Sequence, residues 1–180
     1  PRDRARHTTK FPGQTLHTHE PIALRAPRIG DIGWVVHRQA ILYAEEFGWN
    51  ADYEALIAHI GARFIERFDP ASEGGWIAHR GEEILGAVFL VRRSRTIGQL
   101  RLLYVEPRAR GLGLGDRLVQ ACVARAREVG YRHLMLWTND VLVAARRIYE
   151  RQGFVLVSQA PHHSFGQDLI GQNWRLKLSG

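Results

Sequence analysis

Cysteine, methionine and lysine are nearly missing from this sequence. One cysteine, Cys122, stands among 180 residues, so no intramolecular disulfide and no cysteine-based metal cluster can form. Its place among helix-spaced apolar residues marks it as a small buried hydrophobe. The only lysines are Lys10 and Lys177, leaving 23 arginines to carry the formal charge of +7. Long apolar runs are also lacking. The longest, residues 84–91, is far too short to cross a bilayer, and no charged stretch followed by an apolar export signal opens the chain. A cytoplasmic protein without membrane association is the expectation.

What is there is enough for one domain: 45% apolar residues, with five Trp, five Tyr and seven Phe, can fill a sizeable core. The positive charge favours anionic partners, but it suits nucleic acid, an anionic surface and a small polyphosphate equally. Placement of the arginines has to decide. Arg2, Arg4, Arg6 and Lys10 fall in a polar stretch without periodicity, so residues 1–20 read as a basic tail or interdomain linker and residues 21–180 as the domain.

Within the domain, residues 22–24 read as a first strand. Two amphipathic helices follow, one from Asp31 through Tyr43 and one after Asp52 through Phe68. Strands over 76–79 and 84–91 flank the hairpin turn 80–82, and 98–105 adds a third strand after the basic turn bearing Arg92, Arg93 and Arg95. Then come a helix ended by Gly130, a strand over 133–138, a helix over 142–152 ended by Gly153, a strand over 154–157, and an alternating strand around Trp174, Leu176 and Leu178. This order predicts an α+β fold: a mixed, mostly antiparallel seven-stranded sheet flanked by about four helices.

The sharpest local feature is the stretch 108–115, where Gly111, Gly113 and Gly115 alternate between an apolar strand and an amphipathic helix. Free amides in the first turn of a helix, aided by its dipole, hold anions, and Arg110 and Arg117 would add charge for a diphosphate. No Gly-Lys-Ser/Thr follows, which excludes a P-loop. Asp116 occupies the last glycine position of G-x-G-x-x-G, which weakens a dinucleotide reading.

Residues 103–107 followed by 108–115 resemble the acetyl-CoA-binding signature of the GNAT N-acetyltransferase superfamily, R/Q-x-x-G-x-G/A, with Arg110, Gly113 and Gly115 in register. A second signature, A-x-x-x-Y-x-x-x-G-F, is matched by Ala145, Tyr149, Gly153 and Phe154. The segments 43–46, 137–142 and 161–166 further resemble the acetyltransferase half of bacterial fusions with a MarR-type winged-helix regulator. That likeness implies a DNA-binding domain N-terminal to this chain and makes the basic leader a linker.

The resemblance implies a set of roles. Acetyl-CoA is the cofactor. Leu103 and Val105 would pair with the pantetheine arm as an added strand, with the Val105 amide facing the thioester carbonyl. The diphosphate would rest on Arg110, Gly111, Leu112, Gly113, Leu114 and Gly115, with Arg117 and Arg146 nearby. The family's N-x-x-A asparagine is replaced by Leu142, and Asn139 is the candidate to take over its contact. Tyr149 is the candidate general acid, unless it is only a core aromatic. Glu45 and Glu46, placed just after the first helix, are candidates to attract or deprotonate an amine, as are His162 and His163 in a loop between the last two strands. Tyr43, Phe47 and Trp49 are candidates for the acceptor pocket. His17, His19, His162 and His163 lack the spacing of a metal site. An acyl-CoA sensor without turnover is the rival reading, and a direct nucleic-acid binder lacks a recognition element. An exposed C-terminal strand edge leaves room for a homodimer.

Overall fold

The computed structural model describes residues 20–179, so the basic leader, apart from its last residue Glu20, lies outside the described residues. Seven strands form one sheet, ordered β1-β2-β3-β4-β5-β7-β6. They are β1 (Ala23–Arg25), β2 (Gly74–Arg80), β3 (Glu83–Arg92), β4 (Ile97–Val105), β5 (His133–Asn139), β6 (Val155–Ser164) and β7 (Gln167–Lys177). Helices α1 (Asp31–Phe47), α2 (Ala51–Arg67), α3 (Leu114–Val129) and α4 (Val143–Arg151) complete the chain. The expected fold class and element order are the observed ones.

Alternation along the strands explains why the sheet is covered on both faces. On β3, Val88 and Leu90 pack with Leu118, Cys122 and Leu134 against α3 and α4. Ala87 and Phe89 point the other way and pack with Val35, Leu42 and Phe64 of α1 and α2. A strand buried on both sides reads as an unbroken apolar run, which is what residues 84–91 are. Cys122 is fully buried, and burial pushes its thiol pKa up, as a structural cysteine requires. No described helix is long and apolar enough to cross a membrane.

Local chemistry sets the helix ends. Asn50 caps α2 by accepting from the Asp52 amide at 3.0 Å, an interaction typically worth about 1 kcal/mol. Gly48 and Gly130 take left-handed conformations that end α1 and α3.

Boundaries moved in two places that bear on function. Helix α1 runs to Phe47, so Glu45 and Glu46 lie in its last turn rather than beyond it. Strand β6 runs ten residues to Ser164, so Pro161, His162 and His163 belong to a strand and not to a loop. Proline normally interrupts a strand, but β6 is the last strand of the sheet and pairs only with β7, where the missing amide is harmless.

One irregularity shapes the molecule's centre. Among the described residues, strands β4 and β5 are the only parallel pair, joined through Ile97–His133, Gly98–Leu134 and Gln99–Met135. Beyond Gln99 each follows its other neighbour: β4 stays on β3 as far as Val105, and β5 stays on β7 as far as Asn139. The register of β3 with β4 slips by one residue opposite Ala87 to Phe89, and Leu102, in that stretch, has φ of 51°. A left-handed conformation is uncommon for leucine and marks a bulge that bends the strand. Bent at Leu102, β4 leaves β5 and a wedge opens through the sheet.

Candidate active site

The wedge exposes a strand edge. Glu106 donates its amide to the Leu85 carbonyl at 2.8 Å, on the β3 side. Because backbone direction alternates, the polar groups of Val105 and Leu103 face the opposite edge, toward the gap left by β5. Gln39 Nε2 reaches the Leu103 carbonyl at a long 3.4 Å. A second extended backbone has room to pair there.

Next to this edge lies a cleft of about 570 Å³. Leu103 and Val105 form one wall, and Arg110, Gly111, Gly113, Leu114 and Gly115 form its end. Gly111 and Gly113 have φ of 77° and 73° with open space where a Cβ would stand, so the turn needs glycine for its backbone path. Gly115 is needed for closeness instead: a Cβ there would collide with Ile148 Cδ1 of α4. The sixteen-residue helix α3 starts on this turn and presents its first amides to the cleft.

Arg110 lines the cleft and is ion-paired to Glu46 of α1, which lines it too. Arg147 of α4 adds positive charge to the wall, whereas Arg151 is ion-paired there with Asp116, which lines the cleft too. Other expected residues sit elsewhere. Leu112 is 60% exposed and faces away. Arg117 donates to the Ile22 carbonyl at 3.0 Å, tying α3 to the start of the sheet. Arg146 donates to the Asp140 carbonyl at 2.9 Å, so its neighbour Arg147 is the one facing the cleft.

A second cavity of about 100 Å³ adjoins the first, sharing Tyr43, Leu103, Leu142 and Ala145 with it. Tyr149 lines this smaller space. Rooted on α4 and packed at 5.8 Å on Phe154, it lines that space together with Trp49 and Tyr53, which belong to the cluster on the other face of the sheet. Burial raises the Tyr149 pKa, with Tyr43 adding to the shift, so the hydroxyl keeps its proton across the neutral range. Among the described residues it has no hydrogen-bond partner. Tyr43 spans both cavities and its pKa too is raised by burial. Trp49 is 3% exposed within an aromatic cluster and also lines the small cavity.

Asn139 lines the small cavity, not the cleft, and its Oδ1 lies 2.8 Å from His162 Nε2. His162 Nδ1 lies 2.9 Å from Ser164 Oγ, so its ring is held on both sides, and it adjoins the cavity through Asn139 and through Trp137, whose ring centroid lies 5.6 Å from its own. His163 is exposed and paired with Asp168, and Glu45 is exposed on α1; neither lines the cleft or the small cavity.

Three features escaped the sequence reading. Glu106, fully buried directly after Val105, accepts from Arg38 Nε at 2.6 Å and Nη2 at 2.9 Å, which pins α1 to the end of β4. Gln99 and Arg101 on β4 line the small cavity. The alternation of β4 could have shown that Gln99 and Arg101 share a face, but not that the face is a cavity wall.

The fold and the cleft together define an acyl-coenzyme A transferase architecture: a wedge in the sheet, an unpaired strand edge and a glycine turn at a helix start. The acetyltransferase (GNAT) family model matches residues 37–154, well over half of the sequence, and the chain belongs to that family. Mycothiol acetyltransferase of Geodermatophilus obscurus is 33% identical over 93 residues, covering 48% of this chain and 30% of that protein. The counterpart in Gordonia bronchialis is 30% identical over 115 residues, covering 62% and 35% respectively. The chain thus spans about a third of the length of the curated relatives it matches. Among solved structures, yncA of Salmonella typhimurium, which holds its cofactor acetyl-CoA, superposes with a TM-score of 0.68 at 20% identity, covering 88% of this chain and 94% of that one. Ribosomal-protein-alanine N-acetyltransferase of Brucella melitensis gives 0.68 at 20% identity, covering 87% and 99%. These likenesses show the fold, and the cofactor of the class is acetyl-CoA.

The residues present fit that cofactor. An elongated ligand with two amides and a diphosphate needs an unpaired strand edge and a cluster of backbone amides near positive charge, and the cleft offers both in sequence along its length.

Proposed function

We propose that this chain catalyses transfer of an acetyl group from acetyl-CoA to a primary amine. The observation that carries the reading is the continuity of the wedge: the free edge of Leu103 and Val105 leads from the glycine turn to the cavity holding Tyr149. Acetyl-CoA, when bound, supplies a thioester-activated acyl group. The amides of residues 111–115 and the Arg110 guanidinium hold its phosphates, with Arg147 alongside. The Leu103 and Val105 edge orients the pantetheine arm, and the Val105 amide serves as hydrogen-bond donor to the acyl oxygen. Tyr149 Oη, protonated and free of partners among the described residues, holds the proton that the departing sulfur takes up. The acceptor amine enters from the small cavity between Trp49, Tyr53 and Asn139. Glu46 lines the cleft and is ion-paired to Arg110, so it acts on the amine only through the field of that pair. The amine reacts as the neutral base, its ammonium proton passing to solvent, and the proton it sheds on forming the amide replaces the one Tyr149 gives up.

This reading places the domain in the cytoplasm beside a MarR-type winged-helix domain, on the strength of the resemblance carried by residues 43–46, 137–142 and 161–166. If the domain only sensed acyl-CoA, binding would occur without consumption of any amine.

The test is calorimetric titration with acetyl-CoA of the native chain and of Gly113→Trp, followed by an amine screen read by thiol release. Gly113 has φ of 73°, where a side chain strains the backbone by about 1–3 kcal/mol, and an indole would also fill the turn. One-to-one binding lost in the variant, with thiol release from the native chain, is expected. Absence of heat and of thermal shift with the native chain overturns the proposal.

A further inference from the structure

Arg101 is the one charged side chain lining the smaller cavity, and among the described residues no ion pair or hydrogen bond answers it. It projects from β4 into the smaller cavity, two residues before Leu103 and on the same wall as Gln99. Burial lowers its pKa, and the positive charges of Arg93 and Arg63 lower it further. Among the described residues no carboxylate and no carbonyl oxygen accepts a hydrogen bond from its guanidinium. Other partly buried arginines in this chain are answered: Arg25 by Asp31 at 2.5 Å and Arg38 by Glu106 at 2.6 Å. A guanidinium that is partly withdrawn from water and faces two like charges is unfavourable unless something anionic meets it.

From this geometry we infer that the acceptor amine carries a carboxylate, which Arg101 binds as a planar two-point partner, so that the acceptor is a small amino acid. The inference rests on the acetyl-transfer reading above and adds the acceptor's class to it. Arg101 and Tyr149 line the same cavity, and that cavity meets the cofactor cleft at Leu103 and Tyr43. An acceptor held by its carboxylate at Arg101 therefore presents its amine toward the Val105 edge. A volume of about 100 Å³ equals that of roughly three waters, which suits a compact acceptor and not a folded protein surface. Leu56, Ile57 and Ile60 of α2 supply an apolar wall for an aliphatic side chain.

The experiment offers amines in matched pairs, each amino acid beside its carboxamide: glycine, alanine, leucine and β-alanine against glycinamide, alaninamide, leucinamide and β-alaninamide. Thiol release is followed for the native chain, Arg101→Gln and Arg101→Lys. A productive acid should exceed its amide by about 100-fold or more in kcat/KM, since an unanswered buried charge strongly rejects the analogue that lacks the partner. The gap should lie mainly in KM, shrink in Arg101→Gln and be partly restored in Arg101→Lys, which keeps charge but not the planar fork. Acid and amide used equally by the native chain, or both lowered alike in Arg101→Gln, overturns the inference.

A second readout separates this inference from the reading beneath it. Each pair is titrated calorimetrically into the chain with coenzyme A present, so no turnover is required. Heat with the acid alone, lost in Arg101→Gln while acetyl-CoA still binds, supports the carboxylate site even if no amine is consumed, a result that would remove the transfer reading only. Equal heats for acid and amide, or none for either, overturns the carboxylate site.

Discussion

Replacing Arg38 with methionine tests whether the buried pair at the end of β4 holds the catalytic edge. The Glu106 side chain is fully buried, whereas that of Arg38 is 23% exposed and supplies both donors of a two-point contact. Removing the arginine strands a carboxylate away from water, which costs about 3–5 kcal/mol for a buried pair. Arg108 Nη1, 3.5 Å from Glu106 Oε2, remains as a weak partner, so the lower end, about 3 kcal/mol, is expected. With a urea dependence of about 2 kcal/mol per molar for a domain of this size, the midpoint should fall by about 1.5 M. Because Glu106 follows Val105 directly and its amide closes the β3 pairing, the damage should also reach the strand edge and weaken acetyl-CoA binding. Adding Glu106→Gln to Arg38→Met removes the stranded charge and should return a large part of the lost stability. The assay is urea denaturation of the native chain, both single variants and the double, with calorimetry for acetyl-CoA. A fall of less than about 0.5 M in the Arg38→Met midpoint, or a double variant no more stable than that single one, refutes the reasoning.

Tyr149→Phe keeps the ring on Phe154 but removes the proton, so kcat should fall by about 10²- to 10⁴-fold while acetyl-CoA binding is retained; an unchanged kcat would return Tyr149 to the core. Asp116 joins α3 to α4, and its pKa is lowered mainly by the Arg151 hydrogen bond, with Gln152 also contributing. A carboxylate with a depressed folded-state pKa stabilises the fold above its unfolded value, near 4, and that contribution is lost as pH falls through the folded value. Asp116→Asn should therefore flatten the acid limb of a stability profile measured between about pH 2 and 5, and a limb identical to the native one would remove the pair from the account.

Periodicity and turn residues made the element order legible because they are local. Residues 84–91 announce a strand buried on both faces, and Gly111 and Gly113 announce a backbone path that only glycine follows comfortably. The spacing of Ala145, Tyr149, Gly153 and Phe154 likewise placed the tyrosine on a helix facing inward. Two boundaries could not be read that way. Glu45 and Glu46 fell within α1 because the aromatic cluster of Trp49, Tyr53 and Phe165 carries the packing on past them. His162 and His163 joined β6 because β7 pairs with them, through His162–Leu169 and His163–Asp168, a long-range preference that overrides the proline.

The chain alone determined that there would be a mixed sheet, a glycine turn at a helix start and a tyrosine on the following helix, since each follows from spacing over a few residues. Which arginine faces the cleft was decided only in three dimensions. Arg117 and Arg146 are tied to backbone carbonyls while Arg147 and Arg151 line the wall, a matter of helix rotation against the sheet. The burial of Glu106 against Arg38 and the exposure of Arg101 to a cavity without a counter-charge were decided there as well. Both depend on where β4 bends at Leu102 and leaves β5, and that bend is the outcome of pairing with β3 on one side and of β7 holding β5 on the other.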